Sequence, residues 1–89
     1  MALIDLMGRR WVLRILWELR SRPLTFRALQ QACDAISPSV LNQRISDLRE
    51  TGLVELGEDG YALTFLGREL LEHLLPLTSW AEKWAKALG

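Results

Sequence analysis

A mainly α fold carrying one small β-hairpin, an α+β arrangement in a single domain, is predicted by three features of the 89-residue sequence. Apolar residues recur at three-to-four spacing in four separate stretches, as they do along amphipathic helices. Three of those stretches open on Thr25, Ser37 or Thr64, hydroxyl residues suited to capping a helix start. Between the third and fourth stretches, two runs of strand formers flank the turn cluster Gly57-Glu58-Asp59-Gly60.

The first helix is predicted from Arg9 to Arg20, with Trp11, Val12, Ile15, Leu16 and Leu19 on one side and Arg10, Arg14 and Glu18 on the other. Ser21-Arg22-Pro23 ends it. Thr25 caps a shorter second helix that buries Phe26, Leu29, Ala32 and Cys33 and closes around Asp34-Ala35. The third helix, residues 38–51, has Ser37 as its cap and Pro38 at its first position, where a missing N–H costs nothing; Gly52 stops it. The hairpin covers residues 53–63, with strands in Leu53-Val54-Glu55-Leu56 and Tyr61-Ala62-Leu63. A final helix over 64–88 carries a broad apolar band that includes Phe65, Leu71, Leu74, Leu77, Trp80 and Trp84. Pro76 is expected to kink or break it after Leu75, since its ring clashes with the carbonyl four residues back.

Composition narrows the function. A chain of this length buries only about two-thirds of the surface it exposes when unfolded, yet 49% of it is apolar and it holds four Trp. Some of that apolar surface is expected to be covered by a second copy, giving a homo-oligomer. The net charge is zero, but residues 1–49 hold eight Arg against four acids, and residues 50–89 hold three basic residues against seven acids. The front half can therefore present a positive face that the sum conceals. A single cysteine, Cys33, excludes an internal disulfide framework and fits a reducing compartment. The N-terminal run has Asp5 inside it and Arg9-Arg10 after it, unlike a signal peptide, and no segment approaches the ~18 apolar residues of a membrane span. A cytoplasmic protein without membrane contact is expected.

At about 100° per residue, Leu41, Ile45 and Leu48 of the third helix share a narrow apolar sector with Val40 at its edge. Opposite lie Ser39, Asn42, Gln43 and Ser46, small or amide-bearing side chains where a merely solvated face more often carries Glu and Lys. Such a strip suits the major groove, whose base edges Asn and Gln can contact in pairs. A plain solvated exterior is the alternative reading of the same face. The context favours the groove: two short helices joined by a tight turn, then a Gly stop and a hairpin, follow the order of a winged helix-turn-helix.

The residues also resemble a family. Met7-Gly8-Arg9-Arg10-Trp11-Val12-Leu13-Arg14-Ile15-Leu16, Phe26-Arg27-Ala28-Leu29, Ile36-Ser37-Pro38-Ser39-Val40-Leu41-Asn42-Gln43-Arg44-Ile45, Leu48 to Val54, Tyr61 to Thr64 and Gly67 to Leu70 are similar to the HxlR-type winged-helix regulators, relatives of the MarR group. The resemblance covers nearly the whole chain, and Ile-Ser-Pro-x-Val-Leu-x-Gln-Arg is its most specific part. It implies a dimeric, DNA-binding bacterial regulator of transcription whose N- and C-terminal helices build the dimer. Carried over, the recognition helix is Pro38 to Thr51, with Ser39, Asn42, Gln43 and Ser46 as DNA-contacting residues. Arg44 flanks the buried sector and is assigned to a phosphate or to an internal ion pair; Arg49 and Arg27 are phosphate candidates. The hairpin is several residues shorter than the family's usual wing, and its Glu58-Asp59 tip is acidic where a groove-contacting wing offers Arg or Lys. Most of the affinity must then come from the third helix and the Arg-rich half. Redox-sensing members carry a Cys just before the first helix, a position Cys33 does not occupy.

No catalytic or metal-binding motif stands out. Cys33 and His73 lie on different helices without an orienting partner, and no HxxxH, paired Cys or carboxylate cluster suggests a metal. Cys33 reads as a small buried hydrophobe, with a thiol sensor as the alternative. Trp80 and Trp84 could stack on a small aromatic effector, but one turn apart on an apolar band they read as dimer packing. The dimer face is expected to comprise Trp11, Leu74, Leu77, Trp80, Ala81, Trp84 and Leu88. The sequence thus predicts a homodimeric, non-enzymatic transcription regulator binding a pseudo-palindromic operator in double-stranded DNA, without cofactor and with no effector identified. A winged-helix protein-interaction or dimerisation module with little DNA affinity is the alternative.

Overall fold

A computed structural model describes residues 2–89. The elements run α1 (Ala2–Met7), α2 (Val12–Glu18), α3 (Phe26–Ala32), α4 (Pro38–Glu50), β1 (Val54–Gly57), β2 (Gly60–Leu63) and α5 (Phe65–Ala87). Val12, Ile15, Leu16 and Leu19 from α2 and its end meet Leu29 and Cys33 from α3 and its cap. Leu41, Ile45 and Leu48 of α4 close the same core, with Val54, Leu63 and Leu71 completing it.

The N-terminal quarter differs from the expected single helix over Arg9–Arg20. There are two helices, α1 and α2, and the chain reverses between them through Gly8–Trp11, where Gly8 N donates to Ile4 O at 2.9 Å and Val12 N to Arg9 O at 3.3 Å. Trp11 is not a helix-interior residue: it holds the N-cap of α2 in the left-handed region, φ 79°. Six residues are too few for a periodic signal, so α1 is not visible as a pattern, yet it brings Leu6 into the core.

The other helix starts follow the capping chemistry read from the sequence. Thr25 Oγ1 accepts from Ala28 N at 3.1 Å, Ser37 Oγ from Val40 N at 3.3 Å and Thr64 Oγ1 from Gly67 N at 3.0 Å. The hairpin pairs Val54 with Leu63 and Gly57 with Gly60 across a two-residue turn, Glu58-Asp59. Leu24 adds a one-residue third strand by exchanging hydrogen bonds with Tyr61, 2.9 and 2.8 Å long. That approach requires glycine at position 60, where φ is +120° and a Cβ would sit 2.5 Å from the Leu24 carbonyl oxygen.

Of the two outcomes expected of Pro76, a kink or a break, the break does not occur: α5 continues for 23 residues with the proline inside. Pro76 can leave only the Glu72 carbonyl without its intrahelical donor, and both residues are exposed, so water can take that place. Every residue from Leu75 onward is exposed, so the apolar band expected on this helix enters the subunit core only at its start, through Leu71, and leaves it beyond Leu74. Among the described residues no helix is long and apolar enough to cross a membrane.

Candidate nucleic-acid interface

The turn between α3 and α4 is built from Asp34 and Ala35, both left-handed at φ 56° and 62°. Ala35 N donates to Gln30 O at 3.1 Å, and the Gln30 amide spans the turn to Ile36 O at 3.0 Å. Arg14 braces the turn from α2: its Nη2 donates to Ala32 O at 2.8 Å and pairs with Asp34 at 3.2 Å, while its Nε holds Glu18 at 2.8 Å. A helix pair fixed in this way presents α4 at a defined angle.

On α4 the side facing the core carries Leu41, Ile45 and Leu48, all buried, and the outward side carries Ser39, Asn42, Gln43 and Ser46, all exposed. Arg49 is exposed in the last turn, where a cation is favoured by the helix dipole, and Arg27 is exposed on α3. An open cleft of about 650 Å³ separates α4 from the hairpin, with Asn42, Ser46 and Arg49 on one wall and Glu55, Leu56 and Tyr61 on the other. The acidic tip, Glu58 and Asp59, is exposed.

The residue that organises this helix was not singled out in the sequence. Asp47 is 7% exposed and accepts from three side chains: Gln43 Nε2 at 3.0 Å on Oδ1, and Arg44 Nη1 at 2.8 Å and Arg9 Nη1 at 2.9 Å on Oδ2. Of the two roles open to Arg44, the structure forms the internal ion pair, and its buried Nε finds no partner. Arg9, from the turn between α1 and α2, ties that turn to α4. The i,i+3 and i,i+4 spacing of Asp47 from Arg44 and Gln43 was legible in the sequence. Its burial was not, because Arg9 arrives from a turn that periodicity did not reveal.

Burial pushes the Asp47 carboxyl up, but the hydrogen bonds from Gln43, Arg9 and Arg44 outweigh it and hold the group below the ordinary carboxylate range. In the unfolded chain an Asp titrates near ~3.9, so as pH falls the unfolded state takes up the proton first and stability declines toward the lowered folded value. Asp47→Asn is therefore expected to give a flatter thermal-stability curve than the native chain below about pH 4 and no such difference in slope near neutrality. Parallel acid limbs in a calorimetric pH series would show that Asp47 does not carry this linkage.

The residues expected at a dimer face divide. Leu74 is half-buried; Leu77, Trp80, Ala81, Trp84 and Leu88 are exposed. Trp80 and Trp84 stack with ring centroids 6.0 Å apart. Leu74, Leu77 and Ala81 share an apolar groove of about 480 Å³ with Met7, Leu13 and Trp17 of α1 and α2. Trp11 instead packs half-buried on the core, with the Arg10 guanidinium 5.4 Å from its ring centre. Cys33 is fully buried, and burial raises its thiol above the usual range against the pull of Arg14, so it stays protonated and sheltered. His73 is exposed on α5.

Three helices, a recognition-type helix with a polar outer face and a two-stranded wing make a winged helix-turn-helix of the kind found in transcription regulators. The HxlR-like helix-turn-helix model matches residues 6–88, and the chain belongs to that family. It is 25% identical, over 98% of its length and 86% of the other, to an uncharacterized HTH-type transcriptional regulator of Methanocaldococcus jannaschii. It is 27% identical to YvaP, an uncharacterized HTH-type transcriptional regulator of Bacillus subtilis, over 91% of this chain and 82% of that one. Among solved structures, quinone-bound YodB of B. subtilis superposes with a TM-score of 0.86 at 27% identity, covering 92% of this chain and 93% of that one. A possible HxlR family transcriptional factor of Thermoplasma volcanium gives 0.82 at 28% identity, covering 93% and 81%. Both curated relatives carry the name of HTH-type transcriptional regulators.

Proposed function

We propose that the protein is a cytoplasmic, homodimeric transcription regulator that reads a pseudo-palindromic operator, placing α4 of each subunit in successive major grooves roughly 34 Å apart. The observation that carries this reading is the outward strip of Ser39, Asn42, Gln43 and Ser46, held free by the burial of Leu41, Ile45 and Leu48 behind it. Arg49, at the end of the same helix, and Arg27, on α3, are exposed and suit phosphate contacts. The exposed apolar face of α5, continuous with the groove against α1 and α2, supports the dimer.

The test is an anisotropy titration on an operator selected from random duplexes. Gln43→Ala is expected to lose roughly tenfold or more of the preference for operator over random duplex, the discrimination one paired base contact supplies. Arg49→Ala is expected to weaken all sequences alike and to flatten the salt dependence by about one phosphate's worth, a slope change of ~0.9. Unchanged binding by both variants would remove α4 from the interface. The acidic wing tip favours a second reading, a protein-interaction module. That reading wins where the native chain shows no salt-dependent association with duplex DNA even at low ionic strength.

A further inference from the structure

We infer that Asp47 sets the base preference of Gln43, locking its amide so that the oxygen faces the groove and an amino base, adenine or cytosine, is selected there. This rests on the proposed placement of α4 in the major groove. A glutamine amide ordinarily rotates to show either an acceptor or donors, so on its own it predicts little about the base it meets. Here one edge is already committed. Gln43 Nε2 donates to Asp47 Oδ1 at 3.0 Å, one helical turn away.

The arrangement cannot reverse while Asp47 is ionised, because a carboxylate only accepts and a turned amide would set oxygen against oxygen. Ionisation is secured on the far side of the group, where Oδ2 takes the guanidinium groups of Arg9 at 2.9 Å and Arg44 at 2.8 Å. The carboxylate is also held in place, being nearly buried and bonded from both α4 and the α1–α2 turn. Gln43 itself remains exposed. What it can offer outward is therefore Oε1, with one remaining N–H beside it. In the major groove only adenine N6 and cytosine N4 donate; guanine shows N7 and O6 and thymine shows O4, all acceptors. Oε1 is matched by the first pair alone, and adenine also takes the remaining N–H at N7; guanine and thymine can accept that single N–H but leave Oε1 facing no donor. Asp47 touches no DNA in this scheme and acts as a positioning residue.

The scheme makes an unusual demand on Asp47→Asn. The two guanidinium groups can only donate, so they keep the oxygen of the new amide and turn its NH2 toward Gln43. Gln43 must then accept rather than donate, its own NH2 faces the groove, and the preference inverts to keto bases. Loss of packing or of a contact would relax a preference but would not invert it.

The experiment uses the full chain and the selected operator. The position read by Gln43 is the one whose substitution no longer matters in the Gln43→Ala protein. An adenine or cytosine is expected there, and for adenine, replacement by the purine analogue lacking the 6-amino group costs roughly tenfold in affinity. Asp47→Asn is expected to bind best with guanine or thymine at that position while non-specific duplex affinity is kept. A keto base preferred by the native protein, or an unchanged preference in a folded Asp47→Asn protein, overturns the assignment of Asp47 while leaving base reading by α4 intact. If no position responds to Gln43→Ala, base reading by this residue fails and the inference falls with it. The base-analogue measurement on the native chain decides the matter even where the variant does not fold.

Discussion

Replacing Leu77 and Trp80 together with glutamate is expected to yield a folded monomer whose affinity for the operator falls by roughly 10²–10⁴-fold, the advantage of linking two half-site contacts. The two side chains are 56% and 59% exposed within the subunit, so charging them removes no core contact. At a two-fold interface each substitution acts twice, and a carboxylate pressed against apolar neighbours must be stripped of water without a partner. The helix that carries them is long: 23 residues span roughly 35 Å, and only its first half is anchored, through Gly67 and Leu71. The rest lies outside the core and gains little by staying apolar unless something covers it. Sedimentation equilibrium should show a halved mass for the variant, with the far-UV dichroism of a helical protein retained. Affinity for short non-specific duplexes should drop far less. A variant that keeps both mass and operator affinity would place the dimer elsewhere.

The same contrast between local and distant causes separates what could be read from the sequence from what could not. The caps at Thr25, Ser37 and Thr64, the Gly52 stop and the presence of a hairpin after it follow from interactions within a few residues, and they appear in the structure where the sequence put them, with strand bounds shifted by one residue. The outward position of Ser39, Asn42, Gln43 and Ser46 follows from the spacing of Leu41, Ile45 and Leu48. Long-range pairings were hidden. Leu24 joins Tyr61 across the molecule, Arg9 reaches Asp47 from a turn, and neither leaves a periodic trace. Pro76 was expected to kink or break α5 through its ring clash, but the helix is solvated there and the proline removes only one hydrogen bond, so the helix runs on. Trp11 misled for a related reason: its apolar character fits the helical period, but it caps the helix in a left-handed conformation that spacing does not report.

Gly67→Ala should destabilise the fold by about 2 kcal/mol or more, although alanine is the better helix former by ~1 kcal/mol and Gly67 lies within α5. The contact explains the sign. A Cβ at this position would collide with the Leu53 carbonyl oxygen, with Leu53 C only 3.0 Å away. These are backbone atoms and cannot swing aside, so the first turn of α5 must lift off the segment entering β1. That segment is where α5 is fastened: Thr64 N donates to Leu53 O at 3.1 Å and Thr64 Oγ1 to Gly52 O at 2.6 Å. Overpacking costs roughly 1–3 kcal/mol, and each hydrogen bond stretched in relieving it costs about 1 kcal/mol more. Together they exceed the gain in propensity. Urea denaturation should show a lower midpoint for Gly67→Ala, against a midpoint near or above the native value for Glu69→Ala, an exposed replacement two residues on. If Gly67→Ala raised the midpoint instead, propensity would have won and the close approach of α5 to Leu53 would be absent in solution. Because Leu53 N also donates to Leu48 O at the end of α4, a displaced α5 pulls on the helix that carries the polar strip. The same variant should therefore lose operator affinity under conditions where it is still folded.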